Sequence, residues 1–165
     1  MKVRLLIPIL LLMAACTTNK PMTDEQKAAV MDEATTVVKE MFDALAVSDS
    51  GKMVDLCENS ADFTFILTGN VYNYQSMTEV IREMLPQVEK QTFDTKYEQY
   101  VVVDPACFIY NWHGRNGVFM KTGESSVTED YFATYGFRKH EDGWKLFIGH
   151  ESAMPAQPAD STSVQ

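Results

Sequence analysis

The sequence predicts an α+β domain in which helices come first and a curved antiparallel sheet follows. Three observations carry this. Two capping boxes in the first half each open a segment whose apolar residues recur at three- and four-residue spacing. From residue 93 onward, aromatic and β-branched residues fill segments punctuated by Asp104-Pro105 and Asp142-Gly143. Finally, all 2 Trp, 7 Tyr and 9 Phe lie between Phe42 and Phe147, so the apolar material gathers into one core. A chain of 165 residues has room for one such core, not two.

Thr23 opens the first helix, with Gln26 completing its capping box and Asp24 and Glu25 suited to the positive helix end. Val30, Ala34, Val37, Val38, Met41 and Leu45 form its stripe, and Ser48-Asp49-Ser50-Gly51 breaks it. A short helix follows with Met53, Val54, Leu56 and Cys57. Residues 62–67 read as a strand, closed by the turn pair Gly69-Asn70. Ser76-Met77-Thr78-Glu79 is the second capping box, before Val80, Ile81, Met84 and Leu85. Strands are then expected over residues 93–103, 106–112, 129–139 and 144–152. A long connection holding Gly114, Asn116-Gly117 and Gly123 spans 113–128, and His140-Glu141-Asp142-Gly143 joins the last two strands. The order is α-α-β-α-β-β-β-β, the layout of helices against one sheet.

Composition excludes several classes of function. A hydrophobic content of 45% is too high for a disordered chain, and 14 Lys+Arg against 23 Asp+Glu disfavours a nucleic-acid surface. No His-x-His or Glu-x-x-His spacing suggests a metal site, and no glycine-rich loop suggests a nucleotide, so neither metal nor cofactor is expected.

The ends differ from the body. Lys2 and Arg4 precede an apolar run over residues 5–15, about half of what a membrane crossing needs, which is the layout of a signal peptide. Its close, Leu12-Met13-Ala14-Ala15-Cys16, resembles a bacterial lipoprotein lipobox. The resemblance implies lipidation of Cys16 after removal of residues 1–15. Thr17, where inner-membrane lipoproteins carry Asp, then implies the outer membrane. An ordinary signal peptide that happens to hold a cysteine is the other reading. Residues 16–22 form a tether, 23–152 the folded domain, and 153–165, rich in Pro, Ala and Ser, a tail expected to be disordered. Without residues 1–15 the balance is 12 positive against 23 negative, so such a domain needs acyl chains to stay at an anionic membrane. Cys57 and Cys107 remain, either as a disulfide or as two buried thiols.

Three segments resemble the nuclear transport factor 2-like superfamily, in particular its SnoaL-like bacterial branch. They are Ala46-Val47-Ser48-Asp49-Ser50-Gly51-Lys52, the stretch from Thr68-Gly69-Asn70 to Glu79, and the close Asp142-Gly143-Trp144-Lys145-Leu146-Phe147-Ile148-Gly149-His150-Glu151-Ser152. The resemblance implies a cone-shaped, cystatin-like sheet wrapped around the N-terminal helices, with a pocket at its open end and dimerisation across the outer sheet face. The fold hosts isomerases, dehydratases, cyclases and binding or assembly domains, so it does not fix an activity.

Strict alternation places Trp144, Leu146, Ile148, His150 and Ser152 on one face with Phe137, Tyr135, Ala133 and Tyr131. Phe147 and Glu151 then fall on the other face, with Phe132 and Asp130. The first face grades from apolar to polar toward Tyr131, His150 and Ser152, the pattern of a pocket with a few convergent polar groups. The expected pocket residues are Tyr131, Tyr135, His150, Ser152, Trp112 and Tyr97. His150 is the candidate acid-base, with His113 and His140 in loops. Asp62 and Glu98 are not placed, and no carboxylate pair is supported. Three functions remain open: a binder of a small apolar or aromatic ligand, a SnoaL-like dehydratase or isomerase using His150, and a non-catalytic interaction module using Phe132 and Phe147.

Overall fold

The computed structural model describes residues 21–154. The expected signal peptide, Cys16 and most of the tail lie outside the described residues. Helix α1 (Asp24–Ala46) starts at the expected Thr23 cap, whose hydroxyl accepts from the Gln26 amide while the Gln26 side chain accepts from the Thr23 amide. Its stripe of Val30, Ala34, Val37, Val38, Met41 and Ala44 is buried. Asp49 caps α2 (Ser50–Leu56). Strand β1 (Thr64–Leu67) turns directly into β2 (Asn70–Tyr72). Helix α3 (Tyr74–Met84) begins earlier than expected, because Asn73 and not Ser76 is its cap; Ser76 is instead the residue that bonds back to Asn73. A short 3-10 turn at Pro86 leads into the sheet proper.

Four long strands follow: β3 (Val88–Asp104), β4 (Cys107–Met120), β5 (Ser125–His140) and β6 (Gly143–Ala153). The six strands lie in the order β2-β1-β6-β5-β4-β3. Neighbours are antiparallel except β1, which runs parallel to β6, so the sheet is mixed and not wholly antiparallel as expected. It is curved and does not close. The long 113–128 connection is a second correction. Residues 113–120 continue β4 and 125–128 open β5, leaving a tight turn between them. The glycines there serve close packing and not turning: a Cβ on Gly114 would lie 2.4 Å from the Asp94 carbonyl oxygen, and one on Gly117 2.6 Å from Thr92 Oγ1.

The core lies between the helices and the inner sheet face. Phe108 stacks on Phe137 with ring centres 4.8 Å apart, and Trp144 meets Phe108 edge-on at 4.9 Å. From α1, Phe42 reaches Phe93 at 4.9 Å and Trp112 at 5.7 Å. At the turn end of the β5–β6 hairpin Glu58, 6% exposed in its side chain, accepts from Arg138 at 2.8 Å and meets His140 Nε2 at 3.1 Å. His140 is therefore engaged with a buried carboxylate. Cys57 and Cys107 are free thiols, Cys57 buried with its pKa pushed up to about 12 by desolvation.

Candidate functional site

The β5–β6 hairpin starts as alternation predicts, with His140 opposite Gly143, Lys139 opposite Trp144 and Phe137 opposite Leu146. One residue later it does not. Gly136 pairs with Ile148, so Phe147 has no partner position of its own and forms a β-bulge. A strand's side chains alternate with period two, so one extra residue inverts every face assignment beyond it. Gly149 and Glu151 now point inward, while Ile148, His150 and Ser152 point outward.

This corrects the expected site. His150 is exposed on the outer face, opposite Thr134, and cannot act on anything inside the cone. Ser152 pairs with Phe132 on the same outer face. Tyr97, also expected in the pocket, is 52% exposed and lies opposite His113. His113 is on β4 and not in a loop: it stacks on Phe132 at 4.3 Å and bonds Asp130 at 2.9 Å. Asp62 is exposed, and Glu98, also exposed, accepts from Tyr110 at 2.9 Å. Tyr131, Tyr135 and Trp112 do face inward.

Between helices and sheet lies a cavity of about 250 Å³. Its walls are mainly apolar, drawn from α1 (Phe42), α3 (Met77, Ile81), β1 (Phe65) and β3 (Phe93). The polar groups come from the sheet: Gln91, Asn116, Tyr131, Tyr135 and Glu151. Glu151 is the residue that strict alternation put on the wrong side. Its Oε1 accepts from the Tyr135 hydroxyl at 2.5 Å and its Oε2 from the Tyr131 hydroxyl. Burial raises the Glu151 pKa, and the two phenols and the nearby His150 only partly counter this. Burial, with the neighbouring carboxylate, likewise drives both tyrosines well above their ordinary range, so they stay protonated donors. The Trp112 indole N–H is occupied by Thr95 Oγ1 at 2.9 Å, leaving its ring face for the cavity. Asn116, 8% exposed, also lines the cavity.

An enclosed carboxyl of raised pKa, beside two phenols in apolar walls, can accept hydrogen bonds from a guest, balance a guest's charge or exchange a proton with it. Among the described residues no group of three or more His, Cys, Asp or Glu is arranged to hold a metal ion.

Helices laid against a curved, unclosed, mixed six-stranded sheet, with a cavity between the layers, define the nuclear transport factor 2-like fold, and solved structures agree. A nuclear transport factor 2-like superfamily protein from Salmonella enterica superimposes with a TM-score of 0.67 at 14% identity, over 84% of this chain and 99% of its own. The hexachlorocyclohexane dehydrochlorinase LinA-type3 from Novosphingobium barchaimii gives 0.64 at 9% identity, over 87% of this chain and 99% of its own. The association domain of CaMKII from C. elegans gives 0.60 at 14% identity, over 79% of this chain and 100% of its own. An enzyme and an assembly domain thus share the architecture, which fixes the fold alone. No protein-family model and no curated protein matches the sequence.

Proposed function

We propose that the chain is a lipid-anchored protein of the bacterial cell envelope whose cone cavity binds a small apolar or aromatic molecule. The observation that carries this is the cavity itself, about 250 Å³ of mainly apolar wall on which Tyr131, Tyr135 and Glu151 converge. An apolar cavity of roughly 150 Å³ accepts benzene, so this one suits a ring with a modest substituent. Anchoring rests on Cys16 in Leu12-Met13-Ala14-Ala15-Cys16. Self-association across the outer sheet face rests on the half-exposed Phe132 and Ile148 and on the assembly domain among the structural neighbours.

Thermal-shift screening of the full chain with one- and two-ring compounds tests the binding reading. Stabilisation by at least one of them that disappears in Val118→Phe, which narrows the cavity from its β4 wall, is expected. No stabilisation by any member of the set refutes it. A Cys16→Ala chain that still fractionates with membranes refutes the anchor.

A second reading is favoured by Glu151. A carboxyl of raised pKa inside an apolar cavity is suited to proton transfer, and a dehydrochlorinase is among the neighbours. In that case the acid-base is Glu151, and Glu151→Gln removes turnover while leaving binding.

A further inference from the structure

Resting on the binding reading above, we infer that the guest of this cavity is a small amine: about one ring bearing a protonated nitrogen that sits against Glu151. Among the described residues that line the cavity, Glu151 is the only charged one, and neither Lys nor Arg reaches it there. Both tyrosine hydroxyls spend their single hydrogen on it, so the carboxyl accepts from two donors at once, as a carboxylate does.

Two phenols fill about two of the roughly four acceptor positions of a carboxylate. The others are free for a guest's N–H. The titratable groups around Glu151 are Tyr131 and Tyr135 on β5, His150 beside it on the opposite face of β6, and Cys57 on the far wall. None of these places a cation inside. Burial of this carboxylate is therefore offset by two hydrogen bonds and, less, by His150 from outside the cavity, and a cationic guest would supply the missing charge while an anionic guest would be repelled.

The walls suit the same guest. Trp112 lies 6.4 Å from Tyr131 and 6.1 Å from Phe93 between ring centres, so aromatic faces surround the space beside the carboxylate. Such faces attract an ammonium group. Asn116 adds a polar group on the same cavity wall, where a guest's N–H can meet it.

Titration calorimetry of the full chain at neutral pH with benzylamine, benzyl alcohol and benzoate tests the inference. The three share a ring and differ in charge. Benzylamine should bind at least about tenfold more tightly than benzyl alcohol, and benzoate should not bind measurably. In Glu151→Gln the advantage of the amine over benzyl alcohol should vanish. Equal affinity for amine and alcohol, or binding of benzoate, overturns the inference and leaves the cavity a binder of neutral rings. Binding of none of the three overturns the binding reading together with the inference. Should Glu151→Gln fail to fold, the three affinities of the unmodified chain still separate these outcomes.

Discussion

Two glutamates sit at opposite ends of the same pair of strands. Near the β5–β6 turn, Glu58 meets the cation of Arg138 and the ring of His140. Burial works to raise its pKa, but hydrogen bonding to His140 and the charge of Arg138 outweigh that, and its carboxyl is held below the ordinary 4.5. In the cavity Glu151 has two phenols and no enclosed cation, and its carboxyl is held above 4.5. The difference separates a group placed to hold the fold from one placed to meet something else. An ion pair completes the first internally, whereas the second is satisfied in hydrogen bonds and unsatisfied in charge.

The contrast can be tested at both ends. The largest effect is expected for Arg138→Met, which strands the Glu58 carboxylate. Removing one partner of a buried pair costs about 3 kcal/mol or more, and because Arg138 is 38% exposed about 2 kcal/mol is expected here, read as a lower urea midpoint. A loss under about 0.5 kcal/mol would make the Glu58 pair an ordinary surface pair. Tyr135→Phe should cost about 1.5 kcal/mol by deleting one donor to Glu151, since hydrogen bonds to charged groups are the stronger kind. The smallest effect lies in pH dependence. Stability from Glu58 is present above its unfolded pKa and is lost as pH falls through its lower folded one. Glu151 runs the other way, because its folded pKa is raised: ionisation costs stability as pH climbs from about 4.5 through the folded value. The stability of Glu151→Gln relative to the unmodified chain should therefore rise with pH across that window. A flat difference would mean Glu151 is not strained by burial.

Helices were the most legible part of the sequence, because a cap and a 3.6-residue stripe are both local signals; Thr23, Gln26 and the α1 stripe needed no knowledge of the rest. The final hairpin was legible only from its turn to Phe137 and Leu146. Beyond it lies Leu146-Phe147-Ile148, three apolar residues in a row, so nothing in their chemistry says which one is extra. Choosing wrongly exchanges His150 for Glu151, and with it an exposed imidazole for a carboxyl that lines the cavity. The available clue was size: Gly149 alternates inward with Glu151, and a glycine at that position leaves room for the Phe65 ring that packs over it. Gly114 and Gly117 misled for a related reason, as glycine marks turns and close approaches alike and only the neighbouring strand shows which.

Strand β3 is the longest in the sheet, and among the described residues it lies at an edge with no neighbour on one side. Its register against β4 slips three times, after Val88, after Thr95 and after Val102, so Glu89, Lys96 and Val103 are each left over. A straight seventeen-residue edge would offer a row of open amides and carbonyls to any passing strand. Kinked three times, and with a charge at two of the three kinks, this edge gives an incoming chain no long register to follow. For a protein proposed to be anchored beside other copies at a membrane surface, that irregularity is a safeguard against polymerising through its own sheet.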